Sequence, residues 1–313
     1  MNTAITMNSL NKPILLTGSH RSGSTWAGRM ISTVNNVGYI FEPFNINLPI
    51  TVNQQKFEMN FLHICNENEK NYKPAIDAVL NYNYPFWFNV KNNTDIKDIV
   101  RVCRDKSKSV IHNLLKRRPL VKDPIAFFSS EWLYKTYDMD IVIMIRHPAA
   151  FCSSLKYKDW HFDFNNFINQ PLLMETYLKP FKDQIYEYNQ NKPDIIDQAI
   201  LLWNIFHHTI MLYQEKYPNW TYIRHEDLSA SPTNEFKKIY KRLNLVFSDK
   251  SKLAINNSSG SHNPIEQQKN NEFVRDSKKN IKNWKNRLSR QEISKIRILT
   301  KKIADNFYDD SDW

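Results

Sequence analysis

Glycine is scarce in this chain of 313 residues, and its placement constrains the fold more than any other feature of the sequence. Only five glycines occur, and four of them lie between residues 18 and 38. Gly18 and Gly23 are separated by four residues; a short apolar run precedes them and a helical pattern follows from Trp26. Because glycine permits backbone conformations that other residues avoid, this segment predicts a strand, a tight loop and a helix in succession.

The loop from Gly18 to Thr25 has the glycine spacing of a phosphate-binding loop. In such a loop, backbone N–H groups and the N-terminus of the next helix face the anion. Nucleoside triphosphatases carry Lys after the second glycine, whereas this chain has Ser24, which argues against hydrolysis of ATP or GTP. Arg21 offers a forked cation that suits phosphate or sulfonate oxygens. A plain strand-to-helix turn is the alternative interpretation.

A second candidate anion site follows the apolar run 141–145, which is typical of a strand buried on both faces. Arg146 ends that run, and Ser154 follows eight residues later in a predicted helix. Ligands of open α/β sheets bind at the carboxyl ends of the strands, so we expect this site beside the glycine loop. Two such sites suit a nucleotide with phosphates at both ends of its ribose, although an Arg at a strand end is often only a surface ion pair.

Strands and helices alternate along the chain, which predicts an α/β fold. We expect a P-loop-like, three-layer fold with a central parallel sheet flanked by helices. No repeat or linker is apparent, so residues 1–313 are predicted to form a single domain. Within it, residues 1–12 are expected to be flexible and the polar stretch 248–280 to be a lid or mobile loop. Further predicted strands lie at 39–41, 120–121 and 221–223, and predicted helices at 26–34, 95–118, 172–190, 194–216, 232–243 and 289–307. Two more helices are expected, one that contains residues 127–133 and one that begins at Pro148.

Composition narrows the partners and the compartment. The chain has 43 Lys and Arg against 32 Asp and Glu, a net charge of +11 that favours anionic partners. Three cysteines without a CxxC pair fit a reducing compartment. No apolar run reaches the ~18 residues that cross a bilayer, and the polar start lacks a signal-peptide pattern. We therefore expect a cytoplasmic protein without an integral membrane segment. No nucleic-acid-binding motif and no His, Asp and Glu cluster with metal-ligand spacing is visible in the sequence, so we expect neither a nucleic-acid partner nor a metal site.

Six short segments, in order between residues 14 and 290, resemble the sulfotransferases that use 3′-phosphoadenosine-5′-phosphosulfate (PAPS). The segment 20–26 resembles the 5′-phosphosulfate loop of the carbohydrate and bacterial branch, and 146–154 resembles the 3′-phosphate motif. Y-I-F-E-P at 39–43 is similar to an element of carbohydrate sulfotransferases, and L-V-K-D-P at 120–124 is similar to an element of tyrosylprotein sulfotransferases. The last two segments are Y-I-R-H-E-D-L at 222–228 and N-W-K-N-R-L-S at 283–289. The segment 275–284 lacks the glycines that the family carries there.

The resemblance implies roles for individual residues. Glu42 is the expected general base, since it follows the strand next to the loop, and His20 is the rival base. Lys122 is expected to neutralise charge on the bridging oxygen, and His225 to stack on adenine or to be structural. The residues that we expect to bind the donor are Arg21, Ser22, Gly23, Ser24, Thr25, Trp26, Arg146, Ser154, His225, Arg275, Ser277 and Lys278.

The sequence thus predicts transfer of a sulfuryl group from PAPS to an acceptor hydroxyl, by in-line displacement with a carboxylate base. The product would be 3′,5′-adenosine bisphosphate, and no metal is expected. The resemblance favours a carbohydrate or glycan acceptor, while a natural product or a peptide tyrosine stays open. A P-loop nucleotide kinase acting on a small molecule and a basic nucleic-acid-binding protein are the alternative functions.

Overall fold

The computed structural model describes residues 12–48, 51–52, 57–93, 95–265 and 274–313. Five parallel strands form its central sheet, in the order β2-β3-β1-β4-β5. This arrangement, with helices on both faces, confirms the predicted α/β fold. The strands are β1 Ile14–Gly18, β2 Val37–Phe41, β3 Arg118–Lys122, β4 Asp140–Ile145 and β5 Thr221–Arg224.

Strand β1 lies in the centre of the sheet and is buried along its whole length. Alternate side chains of β1 point to opposite faces: Leu15 belongs to one hydrophobic cluster, whereas Ile14 and Leu16 belong to the other. Its register pairs Leu16 with Lys122 of β3 and Gly18 with Met144 of β4. The carboxyl ends of these strands therefore meet at one edge of the sheet, where the glycine loop begins.

Helices cover both faces of the sheet. One face carries the larger hydrophobic cluster. The long helix 195–216 packs there against two other helices, 148–158 and 290–304. The helices are α1 Ser24–Ile31, α2 Glu69–Leu80, α3 Phe86–Asn92, α4 Ile96–Leu114, α5 Ser130–Tyr137, α6 Pro148–Lys158, α7 Asn165–Ile168, α8 Pro171–Thr176, α9 Lys182–Asn191, α10 Ile195–Lys216, α11 His225–Ala230, α12 Pro232–Arg242, α13 Asp249–Ser259, α14 Ser277–Asn280 and α15 Arg290–Ala304.

Several local expectations differ from the structure. The predicted helix 172–190 is interrupted between α8 and α9, where Pro180 removes a backbone donor. The stretch 248–280, expected as a mobile loop or lid, contains helix α13; its residues 266–273 lie outside the described part of the chain. Most of the segment expected to be flexible, residues 1–11, is likewise outside it.

Helix α4 shows how an apolar pattern can mislead. The sequence pattern predicts an amphipathic helix there, and the helix forms. Its apolar stripe is nevertheless largely solvent-exposed, as at Ile96, Val100 and Leu114. Val102 is the fully buried residue of this helix, while polar side chains such as Asp105 line a cavity. The inner face of α4 therefore belongs to a cavity rather than to a packed core.

Helix α10 is long and apolar enough to cross a membrane by length and composition. However, 67% of its apolar window is buried inside the protein. It contacts α6 and α15. Such burial is the pattern of a core helix, so its composition is weak evidence for a membrane span.

Candidate active site

The glycine loop connects β1 to α1 and packs tightly against its neighbours. Gly18 has φ of +131° and Gly23 has φ of +86°, both in the range that side chains rarely adopt. A Cβ atom at Gly18 would lie 2.3 Å from the carbonyl oxygen of Met144 in β4. A Cβ atom at Gly23 would lie 2.4 Å from Nδ1 of His225. The two glycines thus allow the loop to lie between β4 and α11.

The loop presents unpaired hydrogen-bonding groups. Within the described residues, the backbone N–H groups of residues 23–26, at the start of α1, donate to no protein acceptor. The hydroxyl oxygens of Ser19 and Ser22 are buried there without a hydrogen-bond partner. Four open amides at a helix N-terminus form a cradle for an anion, which supports the interpretation of this loop as an anion site rather than a plain turn.

The second predicted anion site adjoins this loop. The side chain of Arg21 donates through Nε to Oγ of Ser154 at 3.0 Å. In turn, the guanidinium of Arg146 donates to the backbone oxygen of Arg21, while Trp203 Nε1 holds the carbonyl of Arg146 at 2.8 Å. The carboxyl ends of β1 and β4 therefore carry one continuous basic surface.

Arg146 is held in an unusual electrostatic environment. Burial lowers the pKa of this arginine to about 10, and the nearby charges of Arg21 and Arg275 act in the same direction. The carboxylate of Glu226 opposes them. Positive charges gathered in a partly desolvated place favour binding of an anion, which would relieve their repulsion.

The predicted residues from later in the chain approach the same loop, with one exception. His225 lies against Gly23, and its Nε2 is 3.3 Å from Oγ of Ser229. Ser277 donates through Oγ to the Ser229 carbonyl at 2.8 Å, which places α14 beside α11. Arg275 lines the same cavity, whereas Lys278 is exposed and does not line it.

Glu42 and Lys122 form an ion pair where β2 and β3 end. Lys122 Nζ donates to one carboxylate oxygen of Glu42, and Asn45 Nδ2 donates to the other at 2.7 Å. The Glu42 amide also donates to the Lys122 carbonyl at 3.0 Å. Lys122 is only 2% exposed, and Glu42 has a left-handed φ of +43°. Such a conformation costs free energy and is most often kept where a side chain must be aimed.

Asp123 fixes the segment that carries Glu42. Its two carboxylate oxygens accept from the amides of Phe44 at 2.7 Å and Ile125 at 2.8 Å. Burial raises the pKa of this carboxyl, and the neighbouring charge of Glu42 raises it further. In the sequence, Asp123 stands out only as part of the motif 120–124. Pro124 follows it and has no N–H to donate. This Asp-Pro pair was the sequence feature that could have predicted a turn with a buried carboxylate.

His20 lies in an apolar environment. Its ring packs on Phe151, Trp160 and Phe206 with centroid separations of 5.0–5.7 Å. Burial lowers the pKa of this imidazole to about 3, and the charge of Arg21 adds to the effect. His20 is therefore neutral near pH 7 and a weak proton acceptor.

These residues surround a cavity of about 1150 Å³, which spans the edge of the sheet. Its loop end is formed by residues 20–21 and 23–26 with Arg146, His225 and Arg275. Its other end, here the basic end, is formed by Arg29 of α1, Tyr39 of β2 and residues of α4, which the sequence analysis did not identify. The cations that line the cavity are Arg21, Arg29, Arg101, Arg104, Lys108, Lys122, Arg146, Lys158 and Arg275, and the carboxylates are Glu42, Glu58, Asp105 and Asp163.

Other predicted residues are close to the cavity but not on its wall. Ser22 and Ser154 are buried behind the loop. Trp26 lines the cavity, and its Nε1 donates to Oγ of Ser258 at 3.0 Å. In the described part of the chain, no group of three or more His, Cys, Asp and Glu side chains could hold a metal ion.

Comparisons with known proteins identify the family of this chain. A comparison with curated protein sequences finds no significant match. Similar solved structures include the sulfotransferase domain from the Synechococcus PCC 7002 olefin synthase, with 15% identity, coverage of 95% of both chains and a TM-score of 0.45. The mouse sulfotransferase SULT7A1 complexed with PAP has 14% identity, coverage of 95% of this chain and 85% of that chain, and a TM-score of 0.43. The sequence itself matches the model of the sulfotransferase family over residues 13–249. Because that match spans more than half of the chain, the protein belongs to the sulfotransferase family and is a sulfotransferase enzyme.

Proposed function

We propose that the enzyme transfers a sulfuryl group from PAPS to an acceptor hydroxyl, and that the loop end binds the donor. The observation that carries this proposal is the contact between Arg146 and the backbone of Arg21, which joins the two predicted phosphate sites. The open amides of residues 23–26 and Arg21 would hold the 5′-phosphosulfate. Arg146 and Ser154 would hold the 3′-phosphate, with the adenine near Trp26 and His225.

Glu42 is the proposed base in this reaction. An acceptor hydroxyl beside Glu42 would attack sulfur in line with the bridging oxygen of the donor. The new bond joins the acceptor oxygen to sulfur, the bond from sulfur to the 5′-phosphate oxygen breaks, and Glu42 takes the hydroxyl proton. Lys122 would then stabilise the charge on the departing phosphate. Their ion pair places both groups at the same point of the cavity.

The environment of His20 favours Glu42 over this rival base. A base is most effective when its pKa lies near the working pH, and burial lowers the pKa of His20 to about 3. The His20 ring packs against Phe151 and Phe206, so its proposed role is to support the loop by packing.

A carbohydrate hydroxyl is the proposed acceptor. Aromatic side chains line the cavity beyond Glu42, among them Tyr39, Phe41 and Tyr84, and rings with an apolar face and a polar edge suit sugars. The described cysteines are all unpaired, which supports the proposal that the enzyme works in a reducing compartment such as the cytoplasm.

The test is incubation with PAPS and a panel of neutral and charged sugars, phenols and tyrosine peptides. Mass spectrometry would follow the release of 3′,5′-adenosine bisphosphate and the gain of a sulfuryl group by the acceptor. Calorimetry with 3′,5′-adenosine bisphosphate would measure donor-site binding without any acceptor. Binding of ATP with Mg²⁺ but not of the bisphosphate would reject the proposal in favour of a kinase.

A further inference from the structure

The basic end of the cavity has a positive charge that the protein does not balance. Arg29, Arg101, Arg104 and Lys108 all line it. Asp105 pairs with Arg104 at 3.0 Å and lies 3.9 Å from Arg101. Among the described residues, neither Arg29 nor Lys108 forms an ion pair. These two cations therefore face the cavity without a carboxylate.

The cations of the basic end repel one another. Partial burial lowers the pKa of Lys108, and the charges of Arg104 and Arg29 lower it further, against the opposing effect of Asp105. The cations come from two separate elements, Arg29 from α1 and the others from α4. Their approach across the cavity costs free energy in the empty protein, and an anion between them would offset that cost.

A row of aromatic rings joins this charge to the proposed catalytic pair. The Arg29 guanidinium lies 4.7 Å from the centroid of the Tyr39 ring. The Tyr39 and Phe41 rings are 6.4 Å apart, and Lys122 Nζ lies 4.8 Å from the Phe41 centroid. The path from Arg29 to Lys122 thus consists of two ring-sized steps along β2, and β2 leads directly into Glu42.

The Tyr39 hydroxyl supports a ligand at this row. It is buried and has no hydrogen-bond partner in the described part of the chain. Burial raises the pKa of this phenol, and Glu42 and Asp123 raise it further, while Arg29 acts in the opposite direction. A hydroxyl that stays protonated and unpaired next to a cavity is an available donor to a ligand oxygen.

We propose that the acceptor is an anionic molecule whose phosphate, sulfate or carboxylate group binds between Arg29 and Lys108. Its ring or chain would lie along Tyr39 and Phe41, and its hydroxyl would reach Glu42. This inference rests on the proposed sulfuryl transfer, because it assigns the acceptor class of the same cavity. The donor phosphates bind elsewhere, at the loop end, so the two sets of cations serve different anions.

The experiment measures acceptor binding to enzyme that is already saturated with 3′,5′-adenosine bisphosphate, so that the donor site cannot capture the probes. Calorimetry would compare glucose, glucose 6-phosphate and glucuronate, which differ in the group at carbon 6: neutral hydroxymethyl, phosphate ester and carboxylate. We expect each anion to bind about tenfold more tightly than glucose, or better, because hydrogen bonds to charged groups are the stronger ones. The relative strength of the two anions would distinguish a phosphate site from a carboxylate site.

The variants Arg29→Gln and Lys108→Gln assign the effect to these residues. Each should weaken binding of the anionic probe by about tenfold, while Lys97→Gln, which changes an exposed lysine of α4 that does not line the cavity, should not. Binding of 3′,5′-adenosine bisphosphate should stay as in the wild type for all three. Equal binding of glucose and both anions, or wild-type affinity in Arg29→Gln and Lys108→Gln, would overturn the inference. Failure to bind the bisphosphate would instead overturn the proposed function.

Discussion

The two ends of the cavity are built in different ways. At the loop end, hydrogen bonds fix the side chains: Arg21 reaches Ser154, and Arg146 reaches the backbone of Arg21. At the basic end, Arg29 and Lys108 are exposed cations; Arg29 contacts the Tyr39 ring, and Lys108 extends from α4. We therefore expect the loop end to be preorganised for one ligand shape and the proposed anion site at the basic end to select mainly by charge.

This difference fits the demands of a group-transfer enzyme. The donor must be held in one geometry, because the bond that breaks has to align with the incoming oxygen. The acceptor must bring one hydroxyl to Glu42, and a charged anchor at a distance can achieve this with looser contacts elsewhere. Glu42 and Lys122 lie where the two ends meet, so changes there should have the largest effect.

Replacement of Glu42 tests the proposed base, which lies where the two ends of the cavity meet. Glu42→Gln keeps the size of the side chain and removes the base, so transfer should fall about 10²–10⁴-fold. Affinity for 3′,5′-adenosine bisphosphate should stay within a factor of about two, because no donor contact is changed. Glu58→Gln removes another carboxylate from the cavity wall and is the matched control. Activity close to wild type in Glu42→Gln would remove Glu42 as the base.

Replacement of Arg146 tests whether the loop end depends on one forked cation. Arg146→Ala should weaken binding of 3′,5′-adenosine bisphosphate about 10–100-fold, the range for lost hydrogen bonds to a charged group. Arg146→Lys keeps the positive charge but loses the forked guanidinium, so its affinity for the bisphosphate should lie between those of the wild type and Arg146→Ala. Calorimetry would give the affinities, and Arg242→Ala, exposed at the end of α12, is the control. Unchanged affinity in Arg146→Ala would separate this residue from the donor.

The backbone of the loop gives a smaller effect. Gly23→Ala places a methyl group against the His225 ring and forces a side chain into a left-handed conformation. We expect donor affinity to fall about tenfold, from about 1–2 kcal/mol of strain. Gly260→Ala is the control, since an added Cβ would be crowded there too, 2.6 Å from the His262 ring and 2.9 Å from the Asn256 carbonyl oxygen, but Gly260 has an ordinary φ of −66°. Equal affinities would show that the loop relaxes at no cost.

The sequence predicted the loop end well because its chemistry is local. The loop and the Arg146 motif each span few residues, and parallel strands necessarily bring their carboxyl ends to one edge. The alternation of strands and helices also predicts the parallel sheet, whereas the strand order β2-β3-β1-β4-β5 is known from the structure alone. The family match confirms the predicted family. The roles assigned to individual residues stay predictions.

The basic end was not predicted because its residues are distant in sequence and come from ordinary helical patterns. From the sequence, Arg29 is indistinguishable from any exposed residue of α1, and Lys108 is one of several cations on α4. The apolar stripe of α4 even predicted the wrong inner face, since the helix turns Asp105, Ser109 and His112 towards the cavity. Periodicity reports how apolar residues are spaced, and it does not show whether a core or a cavity lies opposite.

The two ends of the cavity also differ in how a histidine makes the stability of the folded state depend on pH. His20 at the loop end has its pKa lowered to about 3 by burial, and His112 at the basic end has its pKa lowered by burial and by Arg117 and Lys108. Both folded-state pKa values lie below the unfolded value of about 6.5. The folded state therefore binds fewer protons, and its stability decreases as the pH falls below about 6.5.

His20→Gln should flatten this acid dependence more than His112→Gln, because the fully enclosed His20 stays neutral over a wider pH range. One histidine can contribute a slope of at most about 1.4 kcal/mol per pH unit. Urea unfolding at several pH values between 4 and 7 measures the free energy of unfolding for each variant. A larger flattening in His112→Gln would mean that the basic end, rather than the loop end, is the more desolvated half of the cavity.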